Sequence, residues 1–94
     1  MTTPFKLSGI ISLPEDFNES LEVGKQYTIL KDSTRIYPFN APMEIASDDN
    51  TYIGKGVVRE LRLTREGTYV TFEVLKIFSE EESRVFTENF IHAD

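Results

Sequence analysis

The stretch TYIGKGVVRELRLT at residues 51–64, with REG at 65–67 and TYVTFEVLKIF at 68–78, decides the fold of this chain. Residues 51–64 and 68–78 are rich in β-branched and aromatic residues, which favour extended backbone. Gly67 in the short connection supplies the positive φ that a tight hairpin turn needs. The stretch therefore predicts a long β-hairpin in which 51–64 pairs with 68–78.

Two irregularities interrupt this hairpin. Gly54 and Gly56 stand close together near its start, and a glycine inside a strand usually marks a bulge or a close backbone approach. In the second strand, the apolar alternation that runs to Val74 changes phase at Leu75. The change predicts either a bulge between these two residues or burial of both faces.

Three further segments read as strands. Residues 5–13 alternate with period two up to Pro14, residues 26–30 are rich in β-formers, and residues 35–45 are extended despite two prolines. Five strands separated by turns predict a single all-β domain over residues 1–94, built as a five-stranded meander or as a small barrel. A PUA-like barrel is one form of the second architecture.

The acidic tail after the hairpin favours a helix. Ser79-Glu-Glu-Glu82 has the form of a capping box, with a serine at the N-cap and a glutamate three residues later. We therefore predict a short C-terminal acidic helix packed on the sheet. A sixth strand within residues 79–92 is the alternative, because Arg84-Val-Phe-Thr has good β-propensity.

The segment RIYPFNAP at residues 35–42 is the best candidate for a binding surface. Proline has no N–H to donate to a sheet, so Pro38 and Pro42 indicate a sheet edge or a corner. At such an edge one of Tyr37 and Phe39 should face outward, where an aromatic side chain serves as a binding anchor. The candidate binding residues are Arg35, Tyr37, Phe39 and Pro42.

A second candidate surface is basic. Lys31, Lys55, Arg59 and Arg62 would contact RNA phosphates, with Arg35 joining them from the neighbouring segment. In a regular strand, however, Lys55 and Arg59 point to one face and Arg62 to the other. A solvated hairpin whose charges pair across the strands is the simpler interpretation of the same residues.

Composition excludes several classes of function. The 94 residues carry a net charge of −6 and no cysteine, so we expect no disulfide, no thiolate metal site and no DNA partner. His92, the one histidine, cannot build a metal site or a catalytic triad alone. We expect no cofactor and no bound metal. The absence of a signal peptide pattern and of any long apolar run predicts a cytoplasmic protein without a membrane span.

The proline-marked segment also carries a family resemblance. Arg35-Ile-Tyr-Pro38, followed by Pro42-Met43 and by the hairpin that ends in Phe78, resembles the small YtmB-like bacterial proteins. The resemblance covers residues 31–43 and 57–78, and it implies no activity, because none is assigned to that family. A weaker similarity, at Leu21-x-x-Gly24-Lys25 and at residues 53–57, is to the PUA-like barrels of RNA-handling proteins.

The leading functional hypothesis is a non-enzymatic binding or adaptor module. It would recognise another protein, or a second copy of itself, through the edge that runs from Tyr37 to Pro42. RNA binding of the PUA-like kind is the alternative, and a small hydrolase that uses carboxylates alone is the third hypothesis. The residues favour a protein that is not an enzyme, because no catalytic set is assembled in the sequence.

Overall fold

A computed structural model describes the backbone of residues 6–7 and 9–90 and the side chains of residues 9–88. This part of the chain forms, in order, β1 (Lys6–Leu7), β2 (Ile10–Ser12), β3 (Gln26–Lys31), β4 (Arg35–Ile36), β5 (Met43–Ala46), β6 (Tyr52–Thr64), β7 (Gly67–Ile77) and α1 (Glu80–Phe90). The prediction of an all-β fold with a short C-terminal helix is confirmed. No helix of the described part is long and apolar enough to span a membrane.

The hairpin of β6 and β7 is the centre of the fold. The two strands pair antiparallel from Thr64 opposite Gly67 at the turn to Gly54 opposite Ile77 at the far end. Gly67 has a φ of 139°, which confirms that the connection needs a residue without a Cβ.

Two bulges lie within the hairpin. Lys55 is opposite Lys76 and Gly56 is opposite Val74, so Leu75 is the extra residue, as the phase change in the sequence predicts. A second bulge follows in β6, where Arg59 has no partner between Val58 and Glu60. Nothing in the sequence indicates this second bulge.

The main sheet has five strands in the order β2-β5-β6-β7-β3. The pairing of β2 with β5 is parallel, and every other pairing in the sheet is antiparallel. The single strand predicted over residues 5–13 is therefore wrong within the described residues: β1 pairs with β4 in a separate two-stranded sheet, and β2 joins the main one.

The sheet curls but does not close into a barrel, because its edge strands β2 and β3 do not pair with each other. The Nζ atom of Lys31, at the end of β3, donates a hydrogen bond to the carbonyl oxygen of Ser12, at the end of β2. The described residues therefore form an open sheet and not the small barrel that is one of the two predicted architectures.

Apolar side chains pack on both faces of the sheet. The larger cluster lies on the concave face and includes Phe72, Val58 and Ile45, which are fully buried. The smaller cluster lies under α1, where the rings of Phe78 and Phe86 stack with their centroids 4.5 Å apart. The helix is therefore attached through the ends of β6 and β7.

The N-terminus of α1 carries the predicted capping box. The backbone N–H of Glu82 donates to Oγ of Ser79 at 3.2 Å, and the N–H of Ser79 donates to Oε1 of Glu82 at 3.0 Å. The helix prediction is confirmed, and the sixth-strand alternative is wrong as far as Phe90. Position 92 lies outside the described residues.

We expect Ser79→Ala to lower the free energy of unfolding by about 1 kcal/mol, because the side-chain acceptor of the cap is lost. Urea unfolding followed by circular dichroism measures the change. Ser20→Ala, in the exposed loop before β3, is the control and should change the stability by less than about 0.5 kcal/mol. Equal stabilities of the two variants would contradict the role of the cap.

Stability should also depend on the charge of Glu82. The hydrogen bond from Lys76, and then those at Ser79, hold the pKa of this carboxyl below its ordinary value of 4.5. A carboxyl whose folded pKa is depressed stabilises the fold above its unfolded pKa, and this contribution is lost as the pH falls through the folded pKa. Between pH 7 and pH 3 we expect the wild type to lose more stability than Glu82→Gln, as measured by urea unfolding. Parallel losses would contradict the assignment.

Candidate functional site

Residues 35–42 connect the small sheet to the main one. After β4, Phe39 forms an isolated bridge with Val58, and the N–H of Asn40 donates to the carbonyl of Val58 at 3.4 Å. Pro42 stands directly before β5, where a missing N–H costs no sheet hydrogen bond. The edge or corner predicted from Pro38 and Pro42 does not extend beyond residue 42, because β5 lies inside the sheet between β2 and β6.

The two aromatic residues of this segment face opposite ways. Tyr37 is 2% exposed and packs in the larger core cluster, whereas Phe39 is 53% exposed. The prediction that one of the two faces outward is confirmed, and the outward one is Phe39. Tyr37 therefore packs the segment onto the core, and its ring does not form part of the surface.

The hydroxyl of Tyr37 is buried without a hydrogen-bond partner among the described residues. An unpaired buried polar group costs free energy, so we expect Tyr37→Phe to raise the free energy of unfolding by about 1 kcal/mol. Thermal unfolding by calorimetry measures the effect. A lower melting temperature for Tyr37→Phe would mean that the hydroxyl has a stabilising partner.

The second half of β6 has one unpaired side. Pairing with β5 ends at Met43 opposite Gly56, so no strand of the described residues lies along positions 59–64 on that side. In β7, the N–H of Val74 donates to the carbonyl oxygen of Lys25, and the carbonyl oxygen of Val74 accepts the N–H of Gly24. The backbone groups of Val74 therefore point toward β3. Because backbone groups alternate between the two sides of a strand, those of Tyr69 and Thr71 point toward β6.

The same alternation continues across the hairpin. Arg62 is opposite Tyr69 and Glu60 is opposite Thr71, so the backbone groups of Arg62 and Glu60 face β7. Those of Leu61 and Leu63 then point away from β7. Among the described residues, no backbone group bonds to them from that side. Within the described residues, this stretch is therefore a free sheet edge.

Apolar side chains flank the free edge. The N–H of Arg35 donates to Oγ1 of Thr68, which is opposite Leu63, whereas Phe39 lies at Val58. Residues 35–39 therefore run alongside the second half of β6, on the face of the sheet that carries the larger core cluster. Ile36 is 40% exposed and Leu63 is 61% exposed. We name the backbone of residues 59–63, with the side chains of Ile36, Phe39, Leu61 and Leu63, the β6 edge surface.

Leu61, Leu63 and Ile36 were not among the predicted site residues. The alternation of the two leucines with charged residues predicts an ordinary strand, and the unpaired side of β6 depends on where β5 ends. Of the predicted binding residues, Phe39 lies on the β6 edge surface and Pro42 is exposed beside it. Arg35 is half-buried, and its Nε donates to Oγ of Ser33 at 3.2 Å.

The basic residues predicted to contact RNA lie in different places. Lys31 is half-buried between the ends of β3 and β2, where burial and then the nearby charge of Arg35 lower its pKa below the usual value. Lys55 lies 3.9 Å from Oε2 of Glu44, and its Nζ is 5.9 Å from the ring centroid of Phe86 under the helix.

Arg59 and Arg62 lie on the other half of β6. Nε of Arg59 is 3.1 Å from Oε1 of Glu73, and its Nη1 donates to Oδ1 of Asn40 at 2.8 Å. The guanidinium of Arg62 lies 4.6 Å from the ring centroid of Tyr69. The bulge at Arg59 shifts the phase of the strand, so Arg62 shares the face of Lys55, contrary to the regular-strand expectation.

A groove of about 450 Å³ lies beside α1. Its floor is apolar, with Ile53, Ile77 and Phe78, and Arg84 stands on its rim between two glutamates one helical turn away.

The pKa of Asp49 is held below its usual value by hydrogen bonds, first from Ser47 and then from Thr51. A general acid needs the opposite shift, so neither this carboxyl nor that of Glu82 suits the general-acid role that a carboxylate hydrolase requires.

Comparisons with known proteins agree with the fold. A family model described as a domain of unknown function, DUF2584, matches residues 1–90. The X-ray crystal structure of the protein YtmB from Bacillus subtilis superposes with a TM-score of 0.71 at 21% sequence identity, covering 85% of this chain and 98% of that chain. At this identity the likeness bears on the fold alone. No curated protein matches the sequence. The predicted resemblance to YtmB-like proteins is confirmed.

Proposed function

We propose that this chain, which belongs to the DUF2584 family of domains of unknown function, is a non-enzymatic module that binds protein through the β6 edge surface. The observation that carries the proposal is the free edge at Leu61 and Leu63 beside the exposed ring of Phe39. An open strand edge offers a row of N–H and C=O groups to another chain. Strand addition at such an edge is a common mode of protein recognition.

Each residue of the predicted site takes a distinct part in this proposal. Phe39 is the anchor, because an exposed aromatic ring is the kind of side chain that dominates interface energetics. Tyr37 fixes the segment from the core side, and Pro42 ends it without offering an N–H that would compete with the incoming strand. Arg35 stays tied to Ser33 and Thr68, so it positions the segment and does not contact the partner.

Substitution of the anchor tests the proposal. We expect tagged Phe39→Ser to retain at least about tenfold less of the proteins that the wild type captures from its native cell extract, because a central aromatic contact is worth about 2 kcal/mol or more. Quantitative mass spectrometry of the retained proteins makes the measurement. Circular dichroism should show an unchanged fold.

Val23→Ser is the matched control, because Val23 is 62% exposed and lies in the turn before β3, outside the β6 edge surface. This variant should retain the same proteins as the wild type. Equal retention by Phe39→Ser and Val23→Ser would refute binding through the β6 edge surface.

RNA binding has less support. Lys31, Lys55 and Arg59 bond or pair within the fold, and these contacts would have to be exchanged for phosphate. The hypothesis stays a prediction, with affinity for structured RNA that falls steeply as salt rises. A filter-binding assay at low salt decides it.

A further inference from the structure

We propose that the protein bound at the β6 edge surface is a second copy of this chain. The two copies would pair their β6 strands antiparallel about a two-fold axis, with Leu61 opposite Leu61 of the second copy. This inference rests on the proposed function and names its partner. The register follows from the limits of the free edge, and the partner follows from the charges along it.

The free stretch of β6 has a defined centre. At one end, the carbonyl of Val58 already accepts the N–H of Asn40, so strand addition stops before that residue. At the other end, the hairpin turn begins after Thr64. The backbone groups of Leu61 and Leu63 point outward between these limits. A symmetric pairing of residues 59–63 therefore centres on Leu61, whose N–H and C=O would bond to those of the same residue in the second copy.

The charges along β6 are complementary to themselves in this register. Glu60 lies opposite Arg62 of the second copy, and by symmetry the same pair recurs on the other side of the axis. Opposite charges directly across two strands stabilise the pairing, and like charges destabilise it. Among the described residues, none of the ion pairs includes Glu60 or Arg62, and the guanidinium of Arg62 lies 4.6 Å from the ring centroid of Tyr69. Both groups are therefore available for each other.

Other registers are less favourable. A pairing centred on Arg62 would place two guanidinium groups directly opposite each other. A pairing centred on Leu63 would bring the turn residue Arg65 opposite Leu61 and would leave Glu60 without a partner. Only the register centred on Leu61 pairs every glutamate with an arginine.

Apolar contacts support the same register. Position 59 lies opposite Leu63 of the second copy, and Phe39 lies at Val58, one residue away. Phe39 of one copy would therefore contact Leu63 of the other, and the reverse contact follows by symmetry. These are two of the most exposed large apolar side chains of the described residues, at 53% and 61%. Dimer formation would bury both together.

Charge reversal tests the register. Sedimentation equilibrium of the wild type over a concentration series should show a monomer–dimer equilibrium. Glu60→Arg and Arg62→Glu should each raise the dimer dissociation constant by about 10- to 100-fold, because each reversal turns two attractive pairs into two repulsive ones. The double variant Glu60→Arg/Arg62→Glu should return it to near the wild-type value.

Mixing the two single variants is the sharper test. In a mixed dimer, the arginine introduced at position 60 of one copy faces the glutamate introduced at position 62 of the other, and the unchanged Arg62 faces the unchanged Glu60. We therefore expect a fluorescently labelled Glu60→Arg chain to sediment as a dimer when unlabelled Arg62→Glu is added, although each variant alone is mainly monomeric. Glu81→Arg and Arg84→Glu, on α1 and outside the β6 edge surface, are the matched controls and should leave the dimer unchanged.

Two results would overturn the inference. A wild type that stays monomeric up to about 1 mM has no specific interface of this kind. A dimer that is insensitive to both charge reversals uses another surface. If the wild type is monomeric but still captures a different protein in a manner that depends on Phe39, the dimer is refuted while the proposed function stands. If the wild type neither dimerises nor captures another protein through Phe39, both the dimer and the proposed function are refuted.

Discussion

Gly67→Ala should leave the chain without a stable fold. A Cβ at this position would lie 1.9 Å from the carbonyl oxygen of Lys31 and 2.9 Å from its carbonyl carbon, and both atoms belong to the backbone of the neighbouring strand. The φ of 139° is a second obstacle, because side chains rarely tolerate that conformation. Strain and clash together should cost more than about 4 kcal/mol, the range of the most damaging single substitutions.

Substitutions at two other glycines separate the cost of backbone strain from the cost of the Cβ clash. Gly24 has a φ of 88°, but a Cβ added to it would meet no atom within 4 Å, so Gly24→Ala should cost about 1 kcal/mol from backbone strain alone. Gly9 has neither a positive φ nor a close neighbour, so Gly9→Ala should be nearly neutral. Circular dichroism and urea unfolding of the three variants make the comparison. A Gly67→Ala chain as stable as Gly9→Ala would refute the close approach of β3 to the hairpin turn.

Phe72→Ala should be the second most damaging change. Phe72 is fully buried in the middle of β7, opposite Val58 on one side and Tyr27 on the other. Loss of a buried phenyl ring costs about 3–5 kcal/mol, through lost transfer free energy and the cavity that remains. A domain of this size has a total stability of roughly 5–15 kcal/mol, so the variant should lose a large part of its stability and unfold at a much lower temperature than the wild type.

Phe39→Ala provides the matched comparison, because it removes the same ring from a position that is half exposed. We expect it to change the free energy of unfolding by less than about 1 kcal/mol while protein binding is lost. Urea unfolding of both variants measures the difference. Similar stabilities for the two variants would contradict the assignment of one ring to the core and the other to the surface.

The features that the sequence predicted are those set by local interactions. The hairpin depends on Gly67 and on β-formers that follow each other directly in the chain. The capping box depends on Ser79 and Glu82, one helical turn apart. The bulge at Leu75 is visible because the apolar phase changes there. In each case the residues that cause the structure are neighbours in sequence, so their pattern was sufficient.

The features that could not be predicted depend on distant contacts. The segment over residues 5–13 has one continuous β-pattern, yet it divides because β4 and β5 offer separate partners. Tyr37 and Phe39 are interchangeable in the sequence, and their burial is decided by which of them meets the core. The free edge of β6 exists because β5 ends opposite Gly56, and no residue of β6 itself encodes that end.

Amide hydrogen exchange tests binding at the β6 edge surface most directly. Exchange would be measured by mass spectrometry for the free chain at low concentration and for the chain in the complex that it forms, with peptides that cover residues 35–42, 59–64 and 80–88. The first two peptides should become protected on binding, because an added strand bonds to the backbone of Leu61 and Leu63. The helix peptide should not change. Protection of the helix peptide alone, with unchanged exchange over residues 59–64, would contradict the account.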